Sequence, residues 1–331
     1  MLMDRAAAQC ARETGVAVPR LTEADYLLGV SDESRGGALR FATEPRGPFL
    51  AVPSGDDVPP VVELPALLNA SDEIAEHDGG AAALRLLLAP GSSLGGARPK
   101  ASVRDHDGQL AIAKFPSRTD RVSSVHWESV ALTLAEHSGL RVEQHRIVPV
   151  GDRPVLVVQR FDRVHSRRVP FLSAMSMLGA SDNESHSYLE IADAIRQHGA
   201  AAGEDLRELW RRIVFTILIS NTDDHLRNHG FLYDGATRGW RLAPLYDVNP
   251  TPRSVRPGIL TLAIDESNTT ADLDIALDVA AYFDIDQREA RSIAGAVGTA
   301  VHQWADQARA VGLSGHEIDE MSSAFTRKSA G

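Results

Sequence analysis

Asn221-Thr222-Asp223-Asp224-His225-Leu226-Arg227-Asn228, followed later by Leu245-Tyr246-Asp247, is the stretch that decides the reading of this chain. It leaves a strongly apolar helical segment at 208–219 and passes through a polar turn into the strand-like Gly230-Phe231-Leu232-Tyr233-Asp234. An aspartate stands five positions ahead of an asparagine, and a further aspartate comes after the strand. Such a set can take up a proton at Asp223 and hold divalent cations through Asn228, a neutral oxygen ligand, and Asp247, a charged one. Phosphoryl transfer, which asks mainly for positioning and charge neutralisation, suits that division of labour. The alternative is a capping turn in which Asn221, Thr222 and Asp223 only satisfy backbone groups.

Protein kinases use this order of groups, and other parts of the chain supply the remaining pieces of such a site. Lys114 ends the apolar strand Leu110-Ala111-Ile112-Ala113, where an ammonium can meet α- and β-phosphates, and Glu128 on the next helix can hold it in place. Ahead of it runs Ser92-Ser93-Leu94-Gly95-Gly96-Ala97-Arg98-Pro99-Lys100. Gly95 and Gly96 let backbone N–H groups approach phosphate oxygens, and Lys100 adds charge. The stretch is neither a Walker A loop nor GxGxxG, and a plain turn is the other reading. Gln159-Arg160-Phe161 ends an apolar strand and reads as a hinge offering backbone groups to adenine, with Phe161 beside the ring. His225 reads as a structural residue tying the loop to its surroundings, and Asp224 as a solvated loop acid. Arg227 is either a cation near the transferred phosphate or a surface side chain. Zinc hydrolysis is disfavoured, because such sites draw on more His or Cys ligands.

The 331 residues exceed the usual length of one domain, and 43% hydrophobic with 24% charged residues fits a globular chain with a sizeable core. A net charge of −11 opposes broad nucleic-acid binding, so no direct nucleic acid is expected as a partner. Arg160, Arg163, Arg167 and Arg168 form a local basic run, which commonly means a solvated face. The single Cys10 excludes an intrachain disulfide and points to a reducing cytoplasm. No apolar run reaches the roughly 20 residues of a membrane span, and the N-terminus lacks a signal-peptide pattern. Residues 3–14 and 21–30 read as helices, the second with a capping box at Thr22, and Ala38-Leu39-Arg40-Phe41 as a strand. Two strands joined by an Asp-Gly turn at 107–108, an amphipathic helix stopped by Gly139 and a further strand–turn–strand make 91–163 a β-rich lobe. Residues 1–90 form a helical and loop-rich region, and 164–331 a mainly helical lobe with two or three helices after 271. The expected fold class is α+β, two-lobed and kinase-like.

Taken together, "SSLGGARPKASV", "AIAKFP", "VVQRFDR", "ISNTDDHLRNHGFLYD" and "WRLAPLYDVNPTP" resemble the HipA family of serine/threonine kinases, the toxins of bacterial toxin–antitoxin systems. "EADYLLGVSDESRGGALRF" resembles the segment preceding the kinase core in that family. The resemblance implies ATP with Mg²⁺ and phosphorylation of a protein serine or threonine, an aminoacyl-tRNA synthetase being the suggested target. It implies Asp223 as catalytic base, Asn228 and Asp247 as Mg²⁺ ligands, and Lys114 on the ATP phosphates. Ser93, with Ser92 adjacent, occupies the place of an autophosphorylated serine whose added charge switches the kinase off. A HipB-type helix-turn-helix antitoxin is the implied partner. Family members start with a small β-rich subdomain ahead of "EADYLLG", and this chain is expected to lack it; the alternative function is then a catalytically weak kinase-like module that binds the antitoxin.

Overall fold

The computed structural model describes residues 2–15, 17–18, 20–52, 58–76, 82–84, 86–87, 98–117, 120, 122–255 and 258–325. The chain forms two units, Met1–Arg121 with His145–Val169, and Val122–Gln144 with Pro170–Gly331.

The first unit carries helices α1 (Leu2–Thr14), α2 (Glu23–Leu28) and α3 (Leu64–Glu76). Its sheet is built from β1 (Lys100–Arg104), β2 (Leu110–Lys114), β3 (His145–Val150) and β4 (Arg153–Gln159), antiparallel in the order β1-β2-β4-β3. The β1–β2 turn closes because Gly108 adopts the left-handed region at φ +81° and the Asp107 carboxylate accepts the Gln109 N–H at 2.9 Å. Strand alternation puts Ala101, Val103, Ala111, Ala113, Val155 and Val157 on one face, where they pack in one core with Leu64, Leu67, Leu68 and Ile74 of α3. Lys100 and Lys114, directly opposite each other in the ladder, fall on the other face. α2 starts as expected: Thr22 and Asp25 exchange the reciprocal bonds of a capping box.

Three expectations are corrected in this unit. Val61, Leu64, Leu67, Leu68, Ile74, Ala83, Leu84 and Leu87 share the sheet's core, so these residues belong with the strands and not to a separate region before residue 91. Residues 164–169, expected in the helical lobe, also remain with this unit and complete the two-stranded ladder β5 (Arg163–Val164) and β6 (Arg167–Arg168). Residues 38–41 form no strand; only an isolated bridge joins Ala42 to Phe49. An extended segment needs a ladder partner, and the preceding residues 33–37 are instead held through their backbone by Arg160 and Arg163.

The second unit comprises α4 (Ser124–His137), β7 (Phe171–Ser173), α5 (Ala174–Leu178), α6 (Tyr188–His198), α7 (Ala202–Leu218), β8 (Gly230–Asp234), β9 (Gly239–Leu242), α8 (Leu273–Asp278), α9 (Gln287–Val301), α10 (Trp304–Ala310) and α11 (Gly315–Phe325). α7 is its axis: Leu206, Leu209, Trp210, Ile213, Val214, Phe215 and Ile217 are fully buried, and the Trp210 indole donates to the Ala276 carbonyl at 2.9 Å. β7, β8 and β9 form an antiparallel sheet, whose β9 is tied to the first turn of α7 by Arg241 and the Leu242 N–H, both donating to Asp205. Two further expectations change. α4 packs on α9 and α10, so it belongs to the helical unit and not to the β-rich one. Among the described residues, four α-helices, not two or three, follow residue 271.

Candidate active site

α7 ends at Leu218, and the chain turns sharply because Ser220 takes a left-handed backbone at φ +54°. From there the motif splits by side. Asp223 is exposed, whereas its neighbour Asp224 is 3% exposed and buried beneath the loop. The Asp224 carboxylate accepts the Tyr188 hydroxyl at 2.7 Å and the Thr216 hydroxyl at 3.3 Å, and lies 3.2 Å from Nε2 of the fully buried His229. Burial raises the Asp224 pKa, but the contacts with His229, Tyr188 and Thr216 outweigh it and hold the group below the usual carboxylate range. Asp224 is therefore not the solvated acid expected from the sequence. The Tyr188 phenol, fully buried against this carboxylate, is pushed well above its ordinary value.

Leu226–Asn228 form one 3₁₀ turn, closed by the Asn228 N–H donating to the His225 carbonyl at 2.8 Å. The Asn228 side-chain amide donates to the Asp223 carbonyl at 3.2 Å, so the two candidate residues are tied directly together. The donating nitrogen thus faces the loop, and the Asn228 amide oxygen is the atom suited to a cation. His229, one position beyond Asn228, faces inward onto Asp224; Asn228 is itself buried, and Asp223 is the exposed member of the Asp223–Asn228 pair. Nδ1 of His225 is buried without a hydrogen-bond partner among the described residues, so no tether through that atom supports its expected structural role. Arg227 is exposed and pairs with Asp182.

Asp247 is half-buried and held at φ +55°, a left-handed backbone that aspartate tolerates better than most residues. Its segment is fixed on both sides. Leu245 donates its N–H to the Arg141 carbonyl at 2.7 Å, and the Tyr246 hydroxyl donates to the Arg227 carbonyl at 2.7 Å. Tyr246 thus binds the Asp247 segment to the turn bearing Asn228. Gly230 follows from the same crowding, since a Cβ there would run into the Phe171 ring. Beneath the site, Arg212 of α7 is fully buried, donating to Glu208 at 3.0 Å and to the Ala243 carbonyl at 2.6 Å. Sequence reading took this helix as apolar; the Glu208–Arg212 spacing of four positions was the signal for an internal ion pair.

In the first unit, Lys114 is half-buried at the end of β2, flanked by Lys100 across one ladder and Leu156 across the other. Gln159 ends β4 opposite Ala111, and Phe161 is half-buried in the following turn. Between them Arg160 is a lock and not part of a solvated face. All its donors are used, on the carbonyls of Ser34 and Arg35, the Ser102 hydroxyl and both oxygens of Asp162. Burial pushes Asp162 up, but Arg160 and Arg163 keep it below the usual range, while burial lowers Arg163 to about 10. Of the basic run, Arg160 is buried, Arg163 is half-buried with its side chain enclosed against Asp162, Arg168 binds Asp32, and only Arg167 is exposed. Glu128 is buried on α4 in the second unit, a different unit from Lys114. Ser92, Ser93, Gly95 and Gly96 lie outside the described residues; of that loop, Lys100 is seen half-buried on β1. No helix among the described residues is long and apolar enough to cross a membrane, and none of their His, Cys, Asp and Glu side chains cluster in threes as metal ligands. A site of one aspartate and one asparagine with substrate oxygens is compatible with that finding.

The fold and this loop define the class: a two-lobed α+β protein of the kinase-like type. The same fold is seen in the HipA chain of the Shewanella oneidensis MR-1 complex of HipA, HipB and operator DNA, with a TM-score of 0.62 at 17% identity over 98% of this chain and 83% of that one. It recurs in the Helicobacter pylori proinflammatory kinase CtkA, with a TM-score of 0.52 at 15% identity over 70% of this chain and 87% of that one. The HipA-like C-terminal domain matches residues 92–305, and the chain belongs to that family. Among curated relatives, "Putative kinase Y4mE" of Sinorhizobium fredii is 27% identical over 65% of this chain and 54% of its own length. A "Putative kinase" of Haemophilus influenzae is 33% identical over 34% of this chain and 38% of its own length. The chain thus spans about half, or less, of the curated relatives it matches.

Proposed function

We propose that this protein is an ATP- and Mg²⁺-dependent serine/threonine protein kinase of the HipA type. The observation that carries the reading is the turn itself: Asp223 is presented outward, Asn228 is hydrogen-bonded to it, and Asp247 is fixed to the same turn through Tyr246. In this role Asp223 accepts the proton of the substrate hydroxyl, and Asn228 and Asp247 hold the cations with a neutral and a charged oxygen. Bound Mg²⁺ neutralises charge on the transferred phosphoryl group. Lys114, helped by Lys100, contacts the ATP phosphates; Gly95 and Gly96 offer backbone N–H groups, Gln159 and Phe161 serve adenine, and Glu128 supports Lys114. Ser93 is the proposed autophosphorylation site. A translation component such as an aminoacyl-tRNA synthetase is the proposed substrate, and a HipB-type helix-turn-helix protein the proposed partner, a reading supported by the HipB-bound state of the Shewanella relative.

The test is incubation of the protein with Mg-ATP and a panel of purified aminoacyl-tRNA synthetases, with phosphosites mapped by mass spectrometry. The expected result is a phosphoserine or phosphothreonine on one synthetase and on Ser93 of the protein. Phosphate release from ATP with no protein labelled would instead indicate a hydrolase.

A further inference from the structure

Helix α11 lies beyond the residues matched by the family, yet it reaches the start of the catalytic turn. Ser220, 1% exposed, donates its hydroxyl to the Ala324 carbonyl of α11 at 2.8 Å, across 104 positions of sequence. The Ser220 carbonyl accepts the Thr251 N–H at 3.2 Å, and the Asn221 side chain accepts the Asn249 N–H at 3.4 Å. Asn249 and Thr251 follow directly on the Asp247 segment. A second bond ties the same stretch to α11: Arg253 donates its N–H to the Ser323 hydroxyl at 3.1 Å. α11 is itself anchored. Phe325 stacks on Trp304 with centroids 4.6 Å apart and planes 3° from parallel, and lies 6.0 Å from Trp127. Met321 and Ala324 are buried beside it.

The residue type at position 220 is informative. At φ +54° glycine is the unstrained choice, and a serine there carries a conformational penalty that its surroundings must outweigh. What the serine has and glycine lacks is the hydroxyl that meets Ala324.

We propose that α11 is part of the active-site scaffold and that Ser220 is a positioning residue. Its link to Ala324 fixes where the turn bearing Asp223 and Asn228 begins, in register with the segment that carries Asp247. The catalytic readout of this inference rests on the kinase reading; its structural readout does not.

The experiment compares full-length wild type with Ser220→Gly and Ser220→Ala. Both variants lose the hydroxyl link, but Gly also relieves the backbone strain, so a residue serving stability alone would tolerate Gly. The expected result is faster amide hydrogen exchange across 221–228 in both variants, with the melting temperature of the Gly variant at or above wild type. The turnover number should fall on the order of ten- to a hundredfold while KM for ATP is unchanged, as for displaced catalytic groups. Unchanged exchange and unchanged turnover in Ser220→Gly would overturn the proposal and leave the kinase reading standing. Faster exchange in both variants of a protein whose wild type transfers no phosphate would uphold the scaffold and remove the kinase reading.

Discussion

Asp223 and Asp224 are adjacent and chemically identical, yet one is exposed and the other carries a buried network. Replacing Asp224 by Asn removes the charge that faces His229 while keeping the shape. Hydrogen bonds to a charged group contribute about 1.5–3 kcal/mol each, so Asp224→Asn, which weakens those from Tyr188 and Thr216, should lower the urea midpoint without changing the slope m. Asp223→Asn, made at an exposed position, should leave the unfolding free energy within about 0.5 kcal/mol of wild type. Asp162 gives a pH prediction of defined sign. Its folded pKa is depressed, so its stabilisation is present above the unfolded carboxylate value near pH ~3.9 and is lost as the pH falls through the lower folded value. Stability measured between pH 5 and 2 should therefore drop less steeply in Asp162→Asn than in wild type. Residue order singled out Asp223, Asn228 and Asp247 as candidates, because the chemistry of a base and two cation ligands restricts the residue types, and the structure ties their segments together. The burial of Asp224, His229 and Arg160 was not readable, since it depends on Tyr188, Thr216 and residues 34–37, distant in sequence.

At the scale of elements, the periodic segments were recovered well: α1, α4, α7, the β1–β2 hairpin and β3–β4 lie where apolar spacing and glycine stops put them. The strand expected at 38–41 failed because a strand needs a partner edge, which no local pattern reveals. α7 hides its ion pair for a related reason: Arg212 is matched by Glu208 in sequence but also by the Ala243 carbonyl, a tertiary contact. Arg212→Ala takes the buried guanidinium from the Glu208 carboxylate and leaves it the contacts with Arg141, and the cost should be about 3–5 kcal/mol by equilibrium denaturation. In the hairpin, register sets Lys100 and Lys114 directly opposite, and the proposed function has both reach the ATP phosphates. Lys114→Met should therefore diminish the thermal stabilisation produced by Mg-ATP while leaving the melting temperature of the unliganded protein within a few degrees.

At the scale of the whole molecule, the sequence boundaries at 90 and 163 followed changes in texture, whereas the units follow packing. α4 is the clearest case: it sits between two strands of the sheet in sequence but joins α9 and α10 in the helical unit. The family match from 92 to 305 covers residues of both units, including Lys114, Asp223, Asn228 and Asp247. Everything proposed for the site converges on Asp223 as the base that takes the substrate proton. The most direct measurement is transfer of label from γ-³²P-ATP to protein, by wild type and by Asp223→Asn, with ATP binding verified in both. The account predicts label on protein with wild type and a loss of at least about a hundredfold, the scale of general-base catalysis, in Asp223→Asn with ATP binding intact. Transfer by Asp223→Asn at the wild-type rate would contradict it.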